Sequence, residues 1–459
     1  MAHITSSTSV DQPSGNAFEA LAIVPDSLIV DADAFLISET SGNGADLSGA
    51  AWTVIVNGQI KALGGFANDG LEIHPGSATD VESVTIGRHG LISGYIGVSS
   101  DGMLSLTNKG TISGGFIAIL ADGKSVITNA GTIDGHVFLH GDDDIFTDFK
   151  KVGKVIKNGT LLHSMDLGDG VDHFFGGSHS ETVQDGGGAD SYKFGGGYDI
   201  YLAVKDLAAG ADGADLVSGG KGKDTYDATS ATFTVLVNLD TKAHGGLAVQ
   251  SAQGANVGEL GNADKVIGFE NAIGGSAADA LYGSGAANVL SGGAGTDELH
   301  GLGGRDILTG GANADTFFFA KLSDSGVVAS TRDVITDFFA SEDHIDLTAL
   351  EAQVHHHFSF SVPRHHAGRL TEKISGEKSI VFLDANGDGK ADFSPGERSR
   401  RAARQRFYSL AEPLLQSREL VVESLWQFGA ERCEVLLDHR QLGLPAVRVD
   451  LHQFLHVVG

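Results

Sequence analysis

The stretch SGGAGTDELHGLGGRDILTGGANADTFFF, residues 291–319, repeats one pattern every nine residues, GGxGxDxUx, in which U is a large apolar side chain. Its acidic position runs Asp279, Asn288, Asp297, Asp306, Asp315, and the same register stands upstream as Asp172, Glu181, Asp190, Asp199 and, after a slip of phase, Asp215 and Asp224. Consecutive glycines allow a tight turn with φ > 0, which directs carbonyl oxygens and one carboxylate toward a common point. The three residues that follow make a very short strand. Its large apolar member, Tyr226, Leu281, Leu299, Leu308 or Phe317, is expected to face inward and stack on the residue eighteen positions away, so that two nonapeptides form one coil. A flexible Gly/Asp linker has the same composition, but neither the strict period nor the inward apolar residue.

The donors in these turns are all oxygens, a set that suits calcium, which takes six to eight oxygen ligands in irregular geometry. The candidate metal-site residues are Asp172, Asp190, Asp199, Asp215, Gly219, Gly220, Gly222, Asp224, Asp279, Gly292, Gly293, Gly295, Asp297, Gly304, Asp306 and Asp315. GGKGKDTYD (219–227) and GGAGTDELH (292–300) resemble the hemolysin-type calcium-binding repeats of RTX proteins. TFFFAKLSDSGVVASTRDVITDFFASEDHIDLTAL (316–350) is similar to the module that closes the calcium-binding region of serralysin-type secreted proteins. The resemblance covers roughly residues 166–393 and implies a parallel β-roll holding several calcium ions. Glu181 and Asn288 depart from its aspartate, and His179, Ala277 and Asn313 from a turn glycine.

Composition agrees with a solenoid: 65 glycines stand against 7 prolines in 459 residues. The formal net charge of -28 excludes nucleic acid as a partner. A single cysteine, Cys433, leaves no internal disulfide, so stability outside a cell needs another staple. The first sixty residues hold no Lys or Arg, so no secretory signal peptide is expected, and ALAIVPDSLIVDADAFLI, broken by Pro25 and aspartates, is no transmembrane segment. The resemblance nevertheless implies an extracellular protein exported through a type I secretion channel.

The expected class is all-β, with an N-terminal parallel β-helix-like solenoid, a calcium-binding parallel β-roll and a β cap. Residues 1–45 read as an opening or capping segment. Residues 46–165 carry a second repeat, GRHGLISG (87–94), NKGTISG (108–114) and NAGTIDG (129–135), spaced near twenty residues as a β-helix coil requires. Asn108 and Asn129 are expected to form a ladder to the next coil rather than a ligand site. HGDDDIFTDF (140–149) reads equally as a cation site or an acidic loop. Residues 166–320 are the roll, in which FTVLVNL (233–239) reads as a half-buried strand. In the serralysin-like module, 321–393, DVITDF and DHIDLTAL are expected to cover the last coil's open edge with strands and a turn. DANGDGKADF (384–393) lacks the bidentate glutamate of an EF-hand loop and reads as a structural turn ahead of the alternative, a calcium loop with ligands at Asp384, Asn386, Asp388 and Asp392, and His355, His356, His357, His365 and His366 read as surface residues. Residues 394–459 form an Arg-rich tail that departs from the resemblance, in which RELVVESLWQF suggests an amphipathic helix.

Among functions, a secreted calcium-binding protein with a structural, adhesive or surface-interaction role is favoured over an enzyme. No histidine is followed by glutamate, so the His-Glu-x-x-His helix of a metalloprotease is missing, as are a GxSxG elbow and a P-loop. The alternative is a glycan-active enzyme, lyase- or epimerase-like, on the N-terminal β-helix. Its basic residues there are sparse, and Lys150, Lys151, Lys154 and Lys157 read as a solvated loop. A surface glycan or host-surface molecule stays open as a partner.

Overall fold

The computed structural model describes residues 1–5, 10–22, 26–64, 68–77, 79–152, 155–203, 213–254, 263–361, 363–375, 378–395, 397–399, 435–437 and 447–449. Among these residues the structure is β apart from one helix, Thr348–Val354. Nearly all strands pair in parallel with the strand one coil away, so the chain winds as a solenoid. Winding begins at the first residues: Ala2 pairs with Leu28 and Leu28 with Val54, a coil of 26 residues. The segment expected to be an opening piece is therefore already a coil, because Ala2–Ile4, Val10–Gln12 and Glu19–Ala22 each find a parallel partner.

Coil length decides the cross-section. In the N-terminal part a coil carries three strand positions. Leu91–Ser100 serves two of them, pairing through Leu91–Ser93 with Gln59–Ala62 and through Ile96–Ser100 with Asp69–Pro75. In the roll Leu281 pairs with Leu299 and Leu299 with Phe317, eighteen residues apart each time, which leaves room for only two short strands and two turns. One apolar column runs through both regions. Leu28, Val54, Val84, Leu106, Ile127, Phe146, Phe174, Tyr192 and Val217 are successive register partners, each with 0 or 1% exposure. Each such side chain contributes roughly 1.5–3 kcal/mol, and this column, not the turns, makes the helix and the roll one stack. The inward roll residues expected from the repeat, Tyr226, Leu281, Leu299, Leu308 and Phe317, are all buried.

The asparagines form the expected ladder. Asn108 Nδ2 donates to Asn129 Oδ1 (2.9 Å) and Asn129 Nδ2 to Asp148 Oδ1 (2.6 Å), while each Asn Oδ1 accepts the N–H two residues on, from Gly110 (3.0 Å) and Gly131 (3.1 Å). FTVLVNL supplies the strand Val235–Asn238, and DKVIGFENAIGG supplies Asp264–Ile267 and Asn271–Ile273, which return to register.

The cap differs in one respect from expectation. DHIDLTAL gives the strand His344–Asp346, but TAL opens the helix Thr348–Val354, whose Leu350 is fully buried. The hairpin Arg369–Ser375 and Lys378–Asp384 follows, and Phe393 packs its ring edge-on against Phe319 at 5.5 Å. The strand Glu397–Ser399, beyond the change of composition at Phe393, pairs with both Val334–Ile335 and Lys378–Asp384, so the first unit closes at Ser399. In the second unit, Arg400–Gly459, Val435–Leu437 pairs antiparallel with Val447–Val449. The helix expected over RELVVESLWQF lies outside the described residues.

Candidate metal centre

Each aspartate of the repeat stands just before a strand and turns one oxygen onto the backbone of the coil before it, whereas Glu181 Oε1 accepts from Gly177 N–H in its own turn (3.4 Å). In the first row Asp172 N–H donates to Asp190 Oδ1 (2.8 Å), Asp190 N–H to Asp215 Oδ1 (2.7 Å) and Asp215 N–H to Asp264 Oδ1 (3.1 Å). The row resumes with Asp279 to Asp297 (2.8 Å), Asp297 to Asp315 (3.0 Å) and Asp315 to Asp343 (3.1 Å). On the other side Glu181 N–H donates to Asp199 (2.8 Å), Asp199 to Asp224 (3.0 Å), Asp224 to Glu270 (3.0 Å), Asn288 to Asp306 (2.9 Å) and Asp306 to Asp333 (2.8 Å). The candidate acids are thereby gathered into two stacked rows. Asp264, Glu270, Asp333 and Asp343 belong to the same rows and were missed from sequence, since no glycine-rich turn precedes them.

The glycines divide by task. A Cβ on Gly292 would lie 2.3 Å from Asp297 Oδ2, and one on Gly219 2.7 Å from Asp224 Oδ2, so the first glycine clears space for the carboxylate five residues on and does not carry a positive φ. The second and fourth turn positions do carry it: Gly220 (101°), Gly293 (105°), Gly222 (142°), Gly295 (128°) and Gly304 (125°). The tight turn with φ > 0 expected of the glycine pair is therefore made by its second member. Leu302 (63°) and Asn313 (82°) occupy two such positions, tolerable for Asn and strained for Leu.

The second oxygen of each acid is where the chemistry lies. Oδ2 of Asp172, Asp199, Asp224, Asp297, Asp306, Asp315 and Asp333 and Oε2 of Glu181 are sealed from solvent and meet no hydrogen-bond donor. Such a group costs roughly 1–3 kcal/mol, more when charged. Burial pushes Asp172, Asp297, Asp306 and Asp315 up to about 7 and Asp333 to about 8, although the bonded N–H groups pull the other way. Orphaned carboxylate oxygens at regular spacing fit a hard divalent cation, which supplies the missing partner and removes the like-charge repulsion. Asn288 is different: its amide donates to Glu270 O (2.7 Å) and accepts from Ser284 N–H (2.7 Å), leaving no orphan.

Asp279, Asp190 and Asp215 also depart from the rule: Asp279 Oδ2 accepts from Gly275 N–H (2.6 Å) and Oδ1 from Val235 N–H (2.7 Å), so neither oxygen is orphaned. Asp185 replaces the first glycine of its turn, and ligand atoms of Asp185, Asp190 and Asp215 lie within 4.8 Å of one another. Two buried phenols reach this cluster: Tyr192 donates to Asp190 Oδ2 (3.0 Å), and the Tyr201 hydroxyl lies 2.6 Å from Asp185 Oδ1 and 2.9 Å from Asp215 Oδ2. Here hydroxyls take the place that is empty of donors at the eight orphaned acids.

In DANGDGKADF both oxygens of Asp384 accept backbone N–H groups, from Gly387 (2.7 Å) and Gly389 (2.8 Å), and Asp392 Oδ2 accepts from Ala385 (2.9 Å), the bonding of a structural turn. His355, His356, His357, His365 and His366 are exposed, and Lys150, Lys151 and Lys157 sit on the hairpin Phe149–Val152 with Val155–Asn158. On the N-terminal coils Asp46, Glu72 and His74 converge, but His74 is paired with Glu72 (3.2 Å) and Asp101 (2.5 Å).

A pH dependence follows. Raised folded-state values mean that the metal-free folded chain binds more protons than the unfolded chain, whose aspartates titrate near 3.8. That stabilisation is complete below about pH 4 and is lost as pH rises through 7 to 8. In the presence of a chelator the thermal midpoint at pH 5 is expected to exceed that at pH 8. A midpoint that climbs with pH in chelator would contradict this placement of the carboxylates.

Residues 216–394 match the family model described as Peptidase M10 serralysin C terminal. The chain is 41% identical over 179 residues to the Metalloprotease AprA of Pseudomonas entomophila (strain L48), an alignment covering 38% of this chain and 35% of that protein. The chain thus spans about a third of that relative's length. The matched stretch takes in the C-terminal two thirds of the roll and the cap, ending just before the strand Glu397–Ser399.

Proposed function

We propose that this chain is an exported calcium-binding repeat protein that acts outside the cell in a structural, adhesive or surface-interaction role, and that its repeats fold on calcium. The observation that carries the reading is the set of buried carboxylate oxygens without donors along both sides of the roll. The similarity to a serralysin C-terminal domain supports the same reading, including export through a type I channel. The role is non-catalytic: the similarity is confined to the roll and cap, and no histidine in the chain is followed by glutamate, so nothing here can build a metalloprotease zinc helix.

One feature favours the glycan-active alternative. An open cleft of about 510 Å³ at the first corner of the β-helix is lined by Asp31, Asp33, Asn57, Arg88 and His89, a mixture of acidic and basic groups able to meet sugar hydroxyls and carboxylates. Calorimetric titration of the full chain with calcium, paired with an assay for unsaturated uronate release from anionic glycans, separates the readings. Multi-site calcium uptake without glycan cleavage is expected. Absence of calcium uptake would overturn the proposal, and cleavage lost in an Arg88→Ala variant would shift it to the alternative.

A further inference from the structure

The turn Leu139–Asp144, in the coil that joins the β-helix to the roll, has no glycine repeat and lies outside the stretch matched to the serralysin domain. It nevertheless shares part of the geometry of the repeat turns: of their two left-handed positions it keeps the one two residues before the acid, while His140, four residues before it, has no positive φ. Asp142, two residues before Asp144, has φ +75°, as Gly222 and Gly295 are left-handed two residues before Asp224 and Asp297. Its carbonyls pack on the next turn in the same way. A Cβ on Gly168 would lie 2.1 Å from His140 O and one on Gly170 2.2 Å from Asp142 O, just as Gly220 meets Gly195 O at 2.4 Å and Gly222 meets Gly197 O at 1.6 Å. Asp144 N–H donates to Asp172 Oδ1 (2.7 Å), and Asp144 Oδ1 accepts from Ser125 N–H (2.5 Å). Two residues on, Phe146 stacks over Phe174 with ring centroids 6.0 Å apart.

Asp144 and Asp172 are both fully buried, and Oδ2 of each meets no donor. The nearby Lys124 is engaged at the surface, 3.7 Å from Asp143. We propose that the turns 139–144 and 167–172 together form a hard divalent cation site, taking calcium through Asp144 Oδ2, Asp172 Oδ2 and backbone carbonyls between them. The cation rows then start one coil before the recognisable repeats and stitch the β-helix to the roll. Nine-residue counting misses this turn because Asp144 and Asp172 are 28 residues apart, the coil between them carrying the hairpin Phe149–Val152 with Val155–Asn158.

The inference rests on the calcium reading proposed above, and one experiment tells their failures apart. Calcium is titrated calorimetrically into the full chain and into its Asp144→Asn variant, in which the amide oxygen can still accept from Ser125. The variant is expected to bind one calcium equivalent fewer, with the remaining sites retained. Equal stoichiometry in both chains overturns this site alone, whereas no calcium uptake by the unaltered chain overturns the function as well. Should the variant fail to fold, crystals of the unaltered chain grown in calcium decide. Anomalous density within about 2.3–2.6 Å of Asp144 Oδ2 and Asp172 Oδ2 is expected, and its absence rejects the site.

Discussion

Chelating calcium from the full chain is expected to unfold the roll while leaving β structure in the N-terminal coils. Eight carboxylates, seven in the roll and Asp333 in the cap, bury an oxygen with no donor, and in the absence of a cation each must be protonated or charged in a medium of low dielectric. The single inward residue per strand offers a thin core against that cost. If each of these positions takes an ion, free calcium at ten times Kd contributes about 1.4 kcal/mol per site, on the order of 11 kcal/mol for eight. That is comparable to the whole stability of an ordinary domain. Extracellular modules bind calcium with Kd near 10⁻⁴ to 10⁻³ M, so about millimolar calcium outside a cell would fold the roll and low cytosolic calcium would leave it open for export. The measurement is thermal unfolding by circular dichroism in chelator and in millimolar calcium. A midpoint unchanged between the two would sink the idea.

Replacing Gly222 with alanine is expected to be among the most damaging single substitutions in the chain. The added Cβ would stand 1.6 Å from Gly197 O, one coil away, at a residue whose φ is +142°. The backbone conformation alone costs on the order of 1–3 kcal/mol for a residue with a side chain. The overlap is with backbone, so it can be relieved only by prising the coils apart, which also breaks the bond from Asp199 N–H to Asp224. A loss of at least about 4 kcal/mol is expected, in the range reserved for backbone strain and disrupted cores. Gly285 is the control: it sits in a turn of the same roll, has no positive φ, and an added Cβ would meet nothing within 4 Å. Equal thermal midpoints for Gly222→Ala and Gly285→Ala, both in calcium, would show that the coil contact at Gly222 is not a constraint.

The roll was legible because one nonapeptide performs every task in fixed places. The inward positions at Leu281, Leu299, Leu308 and Phe317 and the two rows of acids follow from period alone. Less visible was that an acid followed two positions later by an apolar residue can join the row without a Gly-Gly turn. Asp264 before Val266, Asp333 before Ile335, Asp343 before Ile345 and Asp144 before Phe146 all obey this acid-x-apolar rule without a Gly-Gly turn. Insertions hid them further: Leu216 pairs with Lys265, 49 residues on, across a coil that also carries the strand Val235–Asn238. The opening coil was hidden for another reason. Ala2–Ile4 and Glu19–Ala22 are short and weakly apolar, and their strand character comes from neighbours 26 and 27 residues away. The helix Thr348–Val354 was misjudged as a strand and turn because Leu350 alone marks its buried face.

Amide hydrogen exchange of the full chain, resolved along the sequence in chelator and in millimolar calcium, tests the central claim most directly. The account predicts that the amides of Asp172, Asp199, Asp279, Asp297 and Asp306, which donate to the next carboxylate in their row, are protected only with calcium, while strands such as Val81–Ile86 and Met103–Asn108 are protected in both conditions. Equal protection of the carboxylate-bonded amides with and without calcium would contradict it.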